Sequence, residues 1–288
     1  AIGSSGGLIP LLSMEEAERR GTLALNKSGY KSITELRKAS SEDILNIYKN
    51  SNSSAYTPTL DNYFFTKDIP EIYKAQEQAN IPLLIGWNTV ELTPESYLGG
   101  PNYTKDNFVN ITKAYYPNHF EKILEMFPNE TEDEIKWSAI DLASIRFIGQ
   151  GAWKWFDLHR QHNSKPVFRY LYSKVHPPHK SVDLKIYKPP LGAHHAQEIP
   201  YSWGNLPLIT DFNYSEDDYK VSDIMQDYFS NFIKTGNPNG NQLPNWPACE
   251  PDNGFPIIMN IDTETKLVRA NLDYRFRFFD EEGFPYGY

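Results

Sequence analysis

Apolar residues recur at helical intervals over much of this chain and gather into short continuous runs at only a few places. The most compact run is Ile81-Pro82-Leu83-Leu84-Ile85. A run apolar on both sides of the backbone suits a parallel strand buried on both faces, and the proline and Gly86 set its expected start and end. Val167-Phe168-Arg169-Tyr170-Leu171-Tyr172 reads as a second buried strand. Phe255 to Ile261 and Lys266 to Arg269 read as a closing hairpin.

Helix signals fill the intervals. Ser13-x-x-Glu16 has the form of a capping box, the following residues favour helix, and Gly29 is a natural stop. Ser32-x-x-Glu35 and Ser40-x-x-Asp43 open two further short helices. The polar linker Ser51-Asn52-Ser53-Ser54 breaks the pattern, and a strand and turn are expected over Tyr56 to Asn62. Asp68-Ile69-Pro70 opens another helix. Lys105 to His162 is mostly helical, with Thr131-x-x-Glu134 as a cap and Trp137, Ile140, Ala143, Ser144 and Phe147 as an inner face. The stripe Val221, Ile224, Met225, Tyr228, Phe229, Phe232, Ile233 has period 3.6 and stops at Gly236 and Pro238. Leu272, Phe276 and Phe279 mark a last amphipathic helix. Strands separated by long helical stretches predict an α/β fold.

Composition narrows the function. The chain has 288 residues, enough for a sizeable core, with 40% hydrophobic and 23% charged positions. A net charge of −9 argues against a nucleic-acid partner. No apolar run approaches the ~18–20 residues a membrane-spanning helix needs. The single Cys249 rules out an internal disulfide. His159-x-x-His162 and His176-x-x-His179 have no acid or cysteine to complete a ligand set, so neither a metal nor another cofactor is expected.

Two stretches carry candidate chemistry. Glu91 sits just past the carboxyl end of the first buried strand, where open α/β sheets place their reactive groups. Gly192-Ala193-His194-His195-Ala196-Gln197-Glu198-Ile199-Pro200-Tyr201 sets histidines on a loop of small residues. Small neighbours let the backbone turn sharply and leave an imidazole room between a nucleophile and a carboxylate. A third stretch, Gly3-Ser4-Ser5-Gly6-Gly7, satisfies G-x-S-x-G, the sharp turn that presents a nucleophilic serine. That turn needs a strand before it and a helix after it. Only Ala1 and Ile2 precede it and Pro10 follows quickly, so Ser5 is not expected to act as the nucleophile.

Together these stretches resemble the type-B carboxylesterase family, which reads P-L-L-I-G-x-N-x-D-E-G before its triad glutamate and G-A-x-H-G-x-E-I-P-Y around its histidine. The matches are Pro82 to Gly86, Asn88 and Glu91, then Gly192, Ala193, His195 and Glu198 to Tyr201. Val90 and Leu92 depart from the first motif. Ala1-Ile2 through Gly6 resembles A-I-x-Q-S-G, which implies a strand end there, and Gly236 to Pro247 resembles T-G-x-P-N…L-P-x-W-P. The resemblance implies that residues 1–288 are the C-terminal portion of one α/β-hydrolase domain, a mostly parallel sheet with flanking helices and a helical insertion over about 105–162. It implies a carboxylic-ester hydrolase that transfers acyl groups through a Ser-His-Glu triad. Glu91 and His195 are the catalytic acid and base, with His194 a bystander and Glu198 structural. The nucleophile and the oxyanion hole would lie upstream of residue 1, so the chain alone is expected to be inactive. The partners implied are a small-molecule carboxylic ester and a missing N-terminal half, or failing that a second copy. The alternative is a non-catalytic binding or adhesion module on the same fold.

Overall fold

The computed structural model describes residues 1–50, 57–251 and 255–285. The chain divides into two compact units, one made of Ala1–Leu8 with the chain from Ala79 onward, the other of Ile9–Gln78. The expected linker Ser51 to Ser54, and Tyr56, lie outside the described residues.

The larger unit begins with β1 (Ile2–Ser4). The smaller unit then runs β2 (Leu12–Ser13), α1 (Met14–Ser28), α2 (Ile33–Leu36), α3 (Ser41–Asn50), β3 (Thr59–Leu60) and α4 (Ile69–Lys74). Its boundaries follow the local chemistry. The Ser13 hydroxyl accepts from the Glu16 N–H at the start of α1, and Gly29 closes that helix in the left-handed region at φ 82°. Ser32 caps α2 and Asp68 caps α4. β2 and β3 form a two-stranded parallel pair.

The rest of the chain belongs to the larger unit. It runs β4 (Leu83–Asn88), α5 (Pro94–Leu98), α6 (Lys105–Tyr115), α7 (Phe120–Met126), α8 (Glu132–Ser144), a π-helical turn (Ile145–Gly149) and α9 (Gln150–His162). It continues through β5 (Val167–Tyr172), α10 (Ile199–Ser202), α11 (Glu216–Thr235), β6 (Ile257–Ile261), β7 (Lys266–Arg269) and α12 (Asp273–Glu281). The sheet order is β1-β4-β5-β6-β7. All neighbours are parallel except the terminal β6–β7 hairpin. This is the mostly parallel α/β architecture anticipated. Among the described residues, no helix is long and apolar enough to cross a membrane.

Burial explains why β4 reads as an unbroken apolar run. Leu84 packs into a cluster with Tyr170, Tyr172, Met225 and Tyr228, the last two from α11. Leu83, Ile85 and Trp87 point the other way, onto Trp153 and Phe156 of α9. A strand covered on both faces has no polar side to show. A third cluster joins α5 to α8 with Phe279 of α12.

Several boundaries differ from the expectations. β4 extends two residues past Gly86, to Asn88, because the ladder to β5 continues through Asn88 opposite Tyr172. The helical stretch from Lys105 breaks at Tyr116–His119 and again at Phe127–Thr131. The reciprocal capping box between Thr131 and Glu134 restarts it. Trp137, assigned to the inner face of α8, is 40% exposed, and Ile233, assigned to the buried stripe of α11, is 73% exposed. Leu272 precedes α12 and is half-exposed.

Candidate active site

The site is built where β4 ends. The Thr89 N–H still donates to the Tyr172 carbonyl in the style of a strand, at 3.0 Å. The next amide, of Val90, turns to the Ala193 carbonyl at 2.8 Å. The Glu91 N–H donates to Ser144 Oγ at 3.1 Å, at the end of α8. The backbone is therefore anchored at three successive residues, and Glu91 is held over the carboxyl edge of the sheet. Its side chain folds back so that Oε1 accepts the Asn88 N–H at 2.7 Å.

The histidine loop is stitched to the same edge. Thr89 Oγ1 accepts the Ala193 N–H at 2.9 Å. Gly192 must be glycine here, because a Cβ would stand 2.4 Å from that hydroxyl oxygen. The Gln197 side chain accepts from the His194 N–H, and Ala196 turns the chain at φ 68°. The two consecutive histidines take different partners. His195 Nδ1 faces Glu91 Oε2 at 2.5 Å, across 104 residues of sequence. His194 instead gives its carbonyl to Asn88 Nδ2 at 2.6 Å, and burial lowers its imidazole pKa.

The chemistry of the pair follows from its partners. A carboxylate at Nδ1 fixes the neutral imidazole as the Nδ1–H tautomer and leaves a lone pair on Nε2. Nε2 meets no hydrogen-bond partner among the described residues, and the His195 side chain is 42% exposed while that of Glu91 is fully enclosed. Burial raises the Glu91 pKa above the ordinary carboxylate range, against the opposing pull of hydrogen bonds from Asn88, Ser5 and His195. Phe147, projected by the π-helical turn, sets its ring edge-on to the imidazole at 5.2 Å between centroids. Such turns inside helices recur where a side chain must be aimed. A cavity of about 470 Å³ opens beside His195, with Tyr187, Phe212 and Tyr214 in its wall.

Ser5 has a place that sequence reasoning did not give it. A strand does precede it, since Ile2–Ser4 pairs in parallel with β4: this is the strand end that the A-I-x-Q-S-G resemblance implies, and it corrects the argument from the short lead-in. Ser5 adopts φ 46°, a left-handed conformation at the strand end. No helix follows within residues 6–11. Its hydroxyl donates to Glu91 Oε1 at 2.7 Å, so it is engaged by the carboxylate. The signal available in the sequence was the A-I-x-Q-S-G match. Ser144 and Phe147 were read only as a helix face, and nothing in their spacing marks a contact with the site.

Glu198 ties the assembly together from beneath. Its Oε1 accepts from Ser4 Oγ at 2.7 Å and its Oε2 from Asn88 Nδ2 at 2.6 Å. One buried carboxylate thus joins the ends of β1 and β4 to the histidine loop. The two departures from the motif are absorbed by packing: Val90 is buried, and Leu92 packs on the α5–α8 cluster. The histidines set aside as metal pairs have other partners: His159 contacts the Ile81 carbonyl and His176 the Tyr214 hydroxyl.

The model of the carboxylesterase family matches residues 1–278. The chain is 29% identical to carboxylesterase 5A of Canis lupus familiaris over 300 residues, covering 95% of this chain and 51% of that protein. It is 27% identical to pyrethroid hydrolase Ces2e of Rattus norvegicus, covering 97% of this chain and 51% of that protein. The chain thus spans about half the length of the curated relatives it matches. Among solved structures, a thermophilic PNB esterase superposes with a TM-score of 0.71 at 19% identity, covering 96% of this chain and 56% of that one. This last likeness is one of fold.

Proposed function

We propose that this chain, which belongs to the carboxylesterase family, contributes the acid and the base of a serine-type carboxylic-ester hydrolase. His195 acts as general base and then general acid, and Glu91 orients it and stabilises its charged form without taking the proton. The observation that carries this reading is the His195 Nδ1 to Glu91 Oε2 contact, which leaves Nε2 free on an exposed ring.

The nucleophile comes from outside this chain. Ser5 Oγ is engaged by Glu91 Oε1, whereas a nucleophilic serine must hand its proton to Nε2 of the base. Ser5 supports the acid instead: with Asn88 it fixes one carboxylate oxygen and leaves the other for the imidazole. During acyl transfer, Nε2 accepts the proton of the attacking serine, and the new positive charge on the ring faces the buried carboxylate. The same nitrogen then returns the proton to the leaving alcohol. A second cycle with water releases the acid product.

The test uses the chain by itself and then with a segment bearing the family's serine elbow. A fluorophosphonate should not label the chain alone, and aryl-ester hydrolysis should stay close to background. Without a nucleophile, at best a residual ~10³–10⁴-fold acceleration over water survives, and that requires an oxyanion hole. Adding the elbow-bearing segment should restore turnover, and His195→Ala should abolish it. Labelling of the isolated chain at Ser5 would overturn the assignment.

A further inference from the structure

We infer that Phe147, given the reading of His195 as the general base, is a positioning residue for the acyl transfer: its ring holds the imidazole in the orientation that keeps Nδ1 on Glu91. One hydrogen bond, between Nδ1 and Glu91 Oε2, fixes a single edge of the imidazole. The loop around it is built of small residues, Gly192, Ala193 and Ala196, and the side chain is partly open to solvent. The hydrogen bond alone therefore leaves the ring room to swing. Phe147 meets it from the side, at 5.2 Å between centroids and 74° between planes.

The turn that carries Phe147 determines where its ring can go. The Gln150 N–H reaches back five residues to the Ile145 carbonyl, so an extra residue is taken into the helix at this point. Ile145 is buried in the cluster that holds Phe279. Ile148 packs on the cluster of Trp87 and Trp153. Arg146 lays its guanidinium over the Tyr115 ring at 4.0 Å. With those directions taken, Phe147 is left to face the histidine loop. Ser144, three positions earlier, accepts the Glu91 N–H at 3.1 Å. One short stretch of chain thus touches both members of the pair, the acid through its backbone and the base through its ring.

A phenyl ring suits this task. The base must keep Nε2 open for the serine proton and then for the leaving alcohol. A polar neighbour would compete for that lone pair. Phenylalanine offers neither donor nor acceptor, and its edge-on contact opposes rotation without occupying the nitrogen.

The tautomer of His195 reports this restraint without any turnover. A free neutral imidazole side chain favours the Nε2–H form, whereas the contact with Glu91 imposes Nδ1–H. In the full chain carrying isotope-labelled histidine, nitrogen NMR at alkaline pH should find the His195 proton on Nδ1, with His195→Gln identifying the signal. Phe147→Leu stays apolar and removes the ring, and should lower the ratio of Nδ1–H to Nε2–H about tenfold. Phe147→Met, whose flexible side chain fills irregular space, gives the same reading should leucine not be tolerated. Phe147→Tyr keeps the ring and should keep the native ratio. In the enzyme completed by an elbow-bearing segment, the leucine variant should lose about tenfold in kcat with little change in KM, and the tyrosine variant should recover it. An unchanged ratio in the leucine and methionine variants overturns the role of Phe147 and leaves the acid–base pair standing. A fall that only tracks a lower melting temperature marks Phe147 as structural and also overturns it. A native chain with the His195 proton on Nε2 overturns the pair itself, and the role of Phe147 with it.

Discussion

Glu91 is the residue on which the site's electrostatics turn. Burial raises its pKa, so ionising it costs more in the folded chain than in the unfolded one. Its contribution to stability is therefore fully present below the unfolded glutamate value of about 4.3 and is lost as pH rises through the raised folded value. Glu91→Gln removes that loss. The amide can still accept from Asn88 and Ser5 through its oxygen and can donate to His195 Nδ1. Relative to the native chain, Glu91→Gln should gain stability as pH rises across that window, then hold level. Melting temperatures in steps from pH 4 to 8 provide the check, and a native chain that gains on the variant as pH rises would contradict it. In the complemented enzyme the same change should depress kcat, because a donor at Nδ1 moves the ring proton to Nε2. The pairing of Glu91 with His195 was legible in the sequence because each lies in a short motif whose spacing is fixed by a strand end or a tight loop. The contact of Ser5 with Glu91 was not. It joins residues 86 positions apart through a parallel pairing that leaves no local periodic trace.

At the scale of elements, the strands and caps were read well and the places where packing overrides pattern were not. Ser13, Ser32 and Thr131 cap helices because their hydroxyls accept amide protons that the first turn cannot satisfy, a purely local requirement. The π-helical turn, by contrast, falls inside an unbroken helical pattern and takes its conformation from what surrounds it. Gly86 shows the same distinction in a testable form. In the sequence it looked like a strand terminator, yet it lies within β4 opposite Tyr170, where a Cβ would stand 2.4 Å from the ring. The ring fills the missing side chain's place and sends its hydroxyl to Ser4 Oγ at 3.0 Å. Gly86→Ala must therefore displace a fully buried aromatic ring and the strand ends that meet at Glu198. A loss of about 1–3 kcal/mol or more is expected from overpacking at such a site. Gly21→Ala is the contrast: it lies inside α1 with nothing within 4 Å of the added methyl, and should gain up to about 1 kcal/mol. Denaturant midpoints of the two variants should move in opposite directions, and a destabilisation by both would undo the argument from space.

At the scale of the molecule, the decisive feature is the order of the sheet. β1 is its edge strand among the described residues, and the geometry around Glu91 depends on it, since Ser4 and Ser5 brace both buried carboxylates. The outer side of β1 carries backbone donors and acceptors that a neighbouring strand could pair with. Beside it the surface is apolar. Ile2, Pro82, Phe232 and Ile233 surround a shallow cavity of about 460 Å³, and the exposure of Ile233 interrupts an otherwise buried stripe. The isolated chain should therefore self-associate. Two copies related by a two-fold axis would set β1 antiparallel to its counterpart and bring Ile2 and Ile233 of each copy together. Removing one isoleucine side chain from water is worth about 1.5–3 kcal/mol, so the four in such a contact support association in the micromolar range despite its ordering cost. The double substitution Ile2→Lys with Ile233→Asp should return the chain to a monomer without loss of cooperative unfolding, because neither side chain is fully buried in the fold. Light scattering across micromolar concentrations decides the matter. A native chain that stays monomeric there, and unfolds cooperatively, would mean that β1 is an edge the fold tolerates. On the proposed function, a segment supplying the serine would then have to complete the site by a route other than pairing with it.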